Sequence, residues 1–338
     1  MAASTTTDMP ALTKRDFESD QEVRWCPGCG DYAILAQVQR VLPDLGIPRE
    51  NFVFVSGIGC SSRFPYYVNS YGFHTLHGRA PAVATGIKMS RPELSVWIAT
   101  GDGDALSIGG NHLIHILRRN IDVNILLFNN RIYGLTKGQY SPTSEVGKVT
   151  KSTPDGSVDN PFKPPVLALG AEATFVARSI DVEAKHLQAT IRAAHEHRGS
   201  SFVEVLQNCN IFNDGAFDQL TDRAIKAENQ LVLEDGQPMI FGKDRDKAIR
   251  MNDMRPEVVR VSDVGENEIL VHDVKNPVQA FLLGHMMAPE FPTPIGVIYD
   301  VDRPAYEDGV QQQLREARAG GEGDLRSLLY TGDVWTVD

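Results

Sequence analysis

GDGDALSIGGNHLIHILRRNIDVNILLFNN, residues 101–130, is the stretch on which the fold turns. It begins where the apolar run LSVWIAT (94–100) stops at two glycines one residue apart. Leu113, Ile114, Ile116 and Leu117 then recur at helical spacing within SIGGNHLIHILRRN (107–120). DVNILLFNN (122–130) runs apolar without alternation, as a strand covered on both faces does. Strand, tight turn, helix and strand in that order are the repeat of a parallel sheet.

The alternation continues in both directions. Upstream, NFVFVSG (51–57) reads as a buried strand and GRAPAVATGIKMS (78–90) as a helix packed closely through Ala and Gly. YAILAQVQRVL reads as a helix with Asp31 near its N-cap. Downstream, TFVARS (174–179) and SFVEVLQ (201–207) read as strands around a helix, VEAKHLQATIRAAHEHR (182–198). The expected fold is α/β, a doubly wound, mostly parallel sheet. Residues 1–24 read as an irregular polar lead-in. Residues 141–165, rich in Ser, Thr, Pro and Lys, read as a loop over a site or interface, not a boundary. Beyond about residue 216 the pattern weakens: PIGVIYDV (294–301) is a clear strand, while RVSDVGENEILVHD (260–273) is ambiguous. The chain therefore divides into residues 1–215 and a C-terminal extension, 216–338, whose role the pattern leaves open. No internal repeat or low-complexity segment is evident.

Composition narrows the function classes. The 338 residues carry 33 Lys plus Arg against 44 Asp plus Glu, a formal net charge of −11. A phosphate-binding face needs the opposite sign, so nucleic acid is not the expected partner. No run of about 18 apolar residues occurs, so no membrane span is expected. MAASTTTDMPALTKRDFESD lacks the apolar segment of a signal peptide, so a cytoplasmic protein is expected. In a reducing compartment its four cysteines read as ligands or catalytic groups, not disulfides.

Asp102, in the GDG turn, stands at the carboxyl edge of the sheet, where open α/β folds bind ligands. The following helix points its N-terminus there, which suits a phosphate. If the two strands are neighbours, Asn129 and Asn130 end beside Asp102. Asp102, the Asn130 side-chain oxygen and the Ile132 carbonyl are hard donors suited to Mg²⁺ bridging a diphosphate. The arrangement resembles the diphosphate-binding motif of thiamin-diphosphate enzymes. Either half alone reads as a tight turn or a helix cap; the two joined across a helix and a strand are far more specific.

The cysteines are Cys26, Cys29, Cys60 and Cys209. WCPGCG supplies a chelating pair, and Cys60 and Cys209 each follow a strand, at the same sheet edge as Asp102. Four thiolates converging on one point suit a [4Fe–4S] cluster. Four-cysteine zinc remains open, although zinc ribbons usually show two CxxC pairs. A thioredoxin-type redox pair would need a strand just before WCPGC. Cys60 and Cys209 as plain buried cysteines is the third alternative.

CPGCGDYAIL, GIGCSSRFPYY, HTLHGRAPAVATGIK, GDGDALSIGGNHLIH and NNRIYGLTKGQYSPTS together resemble the β subunit of 2-oxoacid:ferredoxin oxidoreductases, over roughly residues 21–215. The resemblance implies Cys26, Cys29, Cys60 and Cys209 as cluster ligands. It implies Asp102, Asn130 and Ile132 at Mg²⁺. It implies Ile58, Gly59, Cys60, Ser61, His77, Gly103, Asp104, Gly134, Leu135 and Thr136 against thiamin diphosphate. The family converts a 2-oxoacid and CoA to an acyl-CoA and CO₂ and passes electrons singly to ferredoxin. An α subunit supplying an activating Glu and the CoA site is implied, in a dimer of αβ heterodimers, with this chain inactive alone.

Two residues are candidates for acting on substrate. Arg63, three after Cys60, can grip a carboxylate bidentately, which favours 2-oxoglutarate over pyruvate. An exposed or ion-paired arginine is the plain alternative. His77, at a strand-to-helix turn, suits a phosphate contact or proton transfer, against a satisfied core histidine. Lys137 reads as a solvated loop lysine, His112 and His115 as packing residues, and HEH (195–197) as structural. The competing functions are pyruvate or broad 2-oxoacid specificity in the same family, a non-redox thiamin decarboxylase or synthase, and a zinc-stapled binding module.

Overall fold

Eight strands make one sheet in the computed structural model, which describes residues 12–321 and 323–337. In chain order the strands are β1 (Phe52–Ser56), β2 (Tyr71–His74), β3 (Ser95–Gly101), β4 (Val123–Asn129), β5 (Phe175–Ile180), β6 (Ser200–Leu206), β7 (Gln230–Val232), β8 (Ile240–Phe241), β9 (Lys247–Asn252), β10 (Arg255–Arg260) and β11 (Thr293–Asp300). The main sheet has the order β2-β1-β3-β4-β6-β5-β11-β7. Its first six strands are mutually parallel, and β11 joins β5 antiparallel. The main helices are α1 (Gly30–Val41), α2 (Ala80–Ser90), α3 (Asp102–Leu106), α4 (Gly110–Arg119), α5 (Pro164–Gly170), α6 (Ala184–Glu196), α7 (Pro277–His285) and α8 (Tyr306–Ala319).

The pleat sends alternate residues to opposite faces. Phe54, Trp97, Leu126, Phe128 and Val203 pack with Ile34 and Val38 of α1 and Leu187 and Ile191 of α6. Val55, Ile98, Ile125, Leu127 and Phe202 pack with Ala84 of α2, Leu113 and Leu117 of α4, Ala168 of α5 and Leu283 of α7. Both faces are therefore covered, which is why β1, β3, β4 and β6 need continuous apolar runs. The fold is the expected doubly wound, mostly parallel α/β sheet. Because β1, β3, β4, β5 and β6 run the same way, their carboxyl ends share one edge.

Asp31 stands near the N-cap of α1, as expected: the cap is Cys29, in extended conformation, and Asp31 lies fully buried in the first turn. The Gly30 N–H donates to the Asn208 carbonyl at 3.2 Å. Other local details differ from the sequence reading. DGDAL (102–106) is a short helix, α3, that ends before Ser107, and α4 begins at Gly110. In the lead-in, Lys14–Phe17 form a 3₁₀ turn and Phe17 is fully buried, edge-on to Phe52. Residues 1–11 lie outside the described residues, and the readings made of them lie there too. The ambiguous 260–273 is not a strand: β10 ends at Arg260 and two short 3₁₀ turns follow.

The extension is woven into the sheet. β11 and β7 widen it, while β8, β9 and β10 form a separate antiparallel sheet. Among the described residues no helix is long and apolar enough to cross a membrane.

Candidate active site

At the shared carboxyl edge lies a cavity of about 420 Å³, lined from the ends of β1, β3, β4 and β6. Ile58, Gly59, Cys60, Ser61, His77, Gly103, Asp104, Gly134, Leu135 and Thr136 all line it, together with Asp102, Asn130 and Ile132. Register explains the meeting: Gly101 of β3 pairs with Phe128 of β4, so the GDG turn and the Asn129–Asn130 end leave adjacent strands.

Asp104 organises one wall. Its Oδ1 accepts the Ile58 N–H at 3.0 Å and the Gly78 N–H at 2.7 Å, and its Oδ2 accepts the Thr100 hydroxyl at 2.7 Å. His77 Nδ1 lies 2.6 Å from the same Oδ1. A carboxylate partner calls for a proton on Nδ1, which leaves Nε2 as the atom available to a ligand. The turn is tight enough to demand glycine. Gly78 has φ 71°, and a Cβ there would stand 2.5 Å from the Gly109 nitrogen.

Asp102 is buried, and its Oδ2 accepts hydrogen bonds from Ser141 and, at 2.6 Å, from Thr143. Burial pushes its carboxyl up to about 6, against those hydroxyls, which favour the charge. A bound cation would act in the same sense as the hydroxyls. Asn130 Oδ1 accepts the Ile132 N–H at 3.1 Å and keeps a second lone pair. Among the described residues no N–H or O–H donates to the Ile132 carbonyl. One carboxylate, one amide oxygen and one unpaired backbone carbonyl, on three residues that line the same cavity, are a donor set that fits Mg²⁺.

The cysteine loops are clasped together. Asn210 Nδ2 donates to the Pro27 carbonyl at 2.6 Å, and Trp25 Nε1 donates to the Cys60 carbonyl at 2.7 Å. A Cβ on Gly134 would lie 3.4 Å from Cys60 Sγ and 3.6 Å from Cys209 Sγ, so both sulfurs face the cavity wall. Among the described residues no three His, Cys, Asp or Glu side chains already stand as a closed metal site. Burial pushes the Cys60 thiol up to about 12 and raises that of Cys29 as well. Neighbouring Asp31 raises both further. Thiols of this kind deprotonate on ligating a metal, and the Asn210–Pro27 and Trp25–Cys60 bonds hold the loops that carry the four cysteines against one another.

Arg63 lies outside the main cavity. It lines an adjoining one of about 520 Å³ with Arg24, Tyr66 and His74, continuous through Ile58, Gly59 and Leu135. Its Nε is buried without a partner among the described residues. Ser141, Thr143, Tyr133 and Gln207 belong to the site's surroundings although sequence reasoning gave them no role. SPTS (141–144) was legible only as a loop; its hydroxyl content was the available signal. In the HEH run, His195 stacks on Trp97, and His197 bonds Thr174 and Asp300.

Residues 57–205 match the family described as "Thiamine pyrophosphate enzyme, C-terminal TPP binding domain". The "2-oxoglutarate oxidoreductase subunit KorB" of Mycobacterium tuberculosis is 56% identical over 339 residues, covering 98% of this chain and 90% of that protein. The "2-oxoacid:ferredoxin oxidoreductase 1, subunit beta" of Aeropyrum pernix is 47% identical over 190 residues, 56% of this chain and 60% of the relative. A solved "2-oxoglutarate:ferredoxin oxidoreductase from Magnetococcus marinus with 2-oxoglutarate, coenzyme A and succinyl-CoA bound" superposes with TM-score 0.75 at 35% identity, covering 96% of both chains.

Proposed function

Because this chain belongs to the β subunits of the 2-oxoacid:ferredoxin oxidoreductases, we propose that it is the thiamin-diphosphate-binding half of an enzyme converting 2-oxoglutarate and CoA to succinyl-CoA and CO₂, or the reverse. The observation that carries this reading is the cavity at the sheet edge. Oxygen donors for a diphosphate-bound cation and two cysteine sulfurs line or face the same space.

In this reading Asp102, Asn130 and the Ile132 carbonyl hold Mg²⁺, and Cys26, Cys29, Cys60 and Cys209 hold a [4Fe–4S] cluster. When bound, thiamin diphosphate supplies an electron sink for loss of CO₂, and the cluster accepts electrons singly. The chain's own residues bind and orient. Gly59, Gly103 and Gly134 let backbone approach the cofactor, and Ile58, Ser61, Leu135 and Thr136 flank it. Asp104 fixes His77 so that Nε2 donates to or accepts from a phosphate or substrate oxygen. Arg63, with its unpaired Nε, takes the second carboxylate of 2-oxoglutarate, a charge that pyruvate lacks. A separate α subunit supplies the activating Glu and the CoA site, ferredoxin takes the electrons, and the assembly is a dimer of αβ heterodimers. A cytoplasmic setting keeps the thiols reduced. Broader 2-oxoacid use is the second reading, supported by the name of the Aeropyrum pernix relative.

Metal analysis tests the proposal. Protein purified without oxygen should be brown, absorb broadly near about 400 nm and contain iron and sulfide in equal amounts. Zinc without iron would overturn the redox mechanism.

A further inference from the structure

The core of the sheet holds a charged pair that packing does not require. Arg178 of β5 and Glu204 of β6 are register partners, and neither side chain has any exposure. Arg178 Nε donates to Glu204 Oε2 at 2.6 Å. A buried pair of this kind is often no more stabilising than apolar residues of similar volume. Its connections suggest another role.

Glu204 Oε1 accepts from Asn129 Nδ2 at 2.7 Å. Asn129 Oδ1 in turn accepts the Arg131 N–H at 3.2 Å and stands 2.9 Å from Thr143 Oγ1. Thr143 Oγ1 also lies 2.6 Å from Asp102 Oδ2. Every member of this chain of contacts is buried except Arg131, which is half-buried. At its far end Arg178 Nη1 donates to the Pro294 carbonyl of β11, in the C-terminal extension.

We propose that Arg178, Glu204 and Asn129 are positioning residues that set the Thr143 hydroxyl against Asp102 and thereby fix how that carboxylate meets Mg²⁺. The inference rests on Asp102 being a Mg²⁺ ligand. Glu204 chooses the orientation of the Asn129 amide, because only the NH₂ end can face a carboxylate. Asn129 then offers its oxygen to Thr143. The single hydroxyl proton is shared between Asn129 and Asp102, so the amide controls how strongly Oδ2 is held. β11 closes the arrangement by taking Arg178, which gives part of residues 216–338 a task at the site. A side chain that bonds a metal ligand directly, as Thr143 bonds Asp102, typically changes metal affinity about 10- to 100-fold when lost, and the links behind Thr143 act through it.

The test uses the full chain with whatever subunit co-purifies with it. Thiamin diphosphate binding is measured calorimetrically across a Mg²⁺ titration, and folding by urea unfolding. Glu204→Gln alone strands the Arg178 charge and lowers stability. The neutral double variant Glu204→Leu/Arg178→Met removes both charges and the acceptor for Asn129 at similar volume and should restore folding. It should still need at least about 10-fold more Mg²⁺ for half-maximal binding. A purely structural pair would restore both, so a folded double variant with the wild-type Mg²⁺ requirement overturns the proposal. Thr143→Val, which keeps the shape and removes the last link, should show the same Mg²⁺ shift in folded protein; an unshifted titration again overturns it. Wild-type protein that binds thiamin diphosphate without regard to Mg²⁺ would overturn the reading of Asp102 itself.

Discussion

Replacing Asp104 by asparagine isolates the charge that organises the cavity wall. The wild-type carboxylate accepts from two backbone N–H groups, a threonine hydroxyl and His77, and it is buried. An asparagine oxygen in the place of Oδ1 keeps the Ile58, Gly78 and His77 bonds but makes them neutral. Hydrogen bonds to a charged group contribute about 1.5–3 kcal/mol and neutral ones about 1 kcal/mol, so three weakened bonds lose roughly 3 kcal/mol. The amide NH₂, in the place of Oδ2, can still donate to the Thr100 oxygen. Against a typical stability of about 5–15 kcal/mol, that is a large fraction. Asp104→Ala should lose more, because the Ile58 and Gly78 N–H groups would be left unsatisfied. Urea unfolding followed by tryptophan fluorescence reads the change, since Trp97 is fully buried in the core of the sheet. A midpoint corresponding to a loss under about 0.5 kcal/mol for Asp104→Asn would refute the idea that this carboxylate holds the wall together.

Arg63→Ala should raise KM for 2-oxoglutarate at least about 10-fold, by loss of a charge-assisted bond, and leave KM for pyruvate within about threefold. Equal effects in steady-state kinetics would remove Arg63 as the carboxylate reader. Gly78→Ala combines a left-handed residue, itself about 1–2 kcal/mol, with a backbone contact that cannot move aside. It should destabilise by about 3 kcal/mol or more, and a wild-type urea midpoint would show that the Gly78–Gly109 approach is not fixed.

The parts of the site legible in the sequence were those with local causes. Apolar runs without alternation announced strands buried on both faces, and glycines with an acid at a strand end announced the ligand edge. Cys60 and Cys209 were placed at that edge because each follows a strand directly. What stayed hidden depends on register. Arg178 and Glu204 were visible as single charges in TFVARS and SFVEVLQ, an oddity in runs otherwise apolar, but nothing local says that they face each other across neighbouring strands. Asp104 read as one more cofactor contact, while its folded role of tying β1, β3 and the turn before α2 needs three distant segments. In the extension PIGVIYDV was legible as a strand and is β11, but its antiparallel pairing to β5 is a long-range contact, and β7, three residues long, is too short to carry a period.

The central claim is that this chain is one half of an electron-transferring 2-oxoacid enzyme. The most direct measurement purifies the chain anaerobically with its co-expressed partner and follows reduction of ferredoxin with a panel of 2-oxoacids. The account predicts reduction that requires CoA and thiamin diphosphate and is fastest with 2-oxoglutarate. Decarboxylation that proceeds at full rate with no electron acceptor reduced would contradict it.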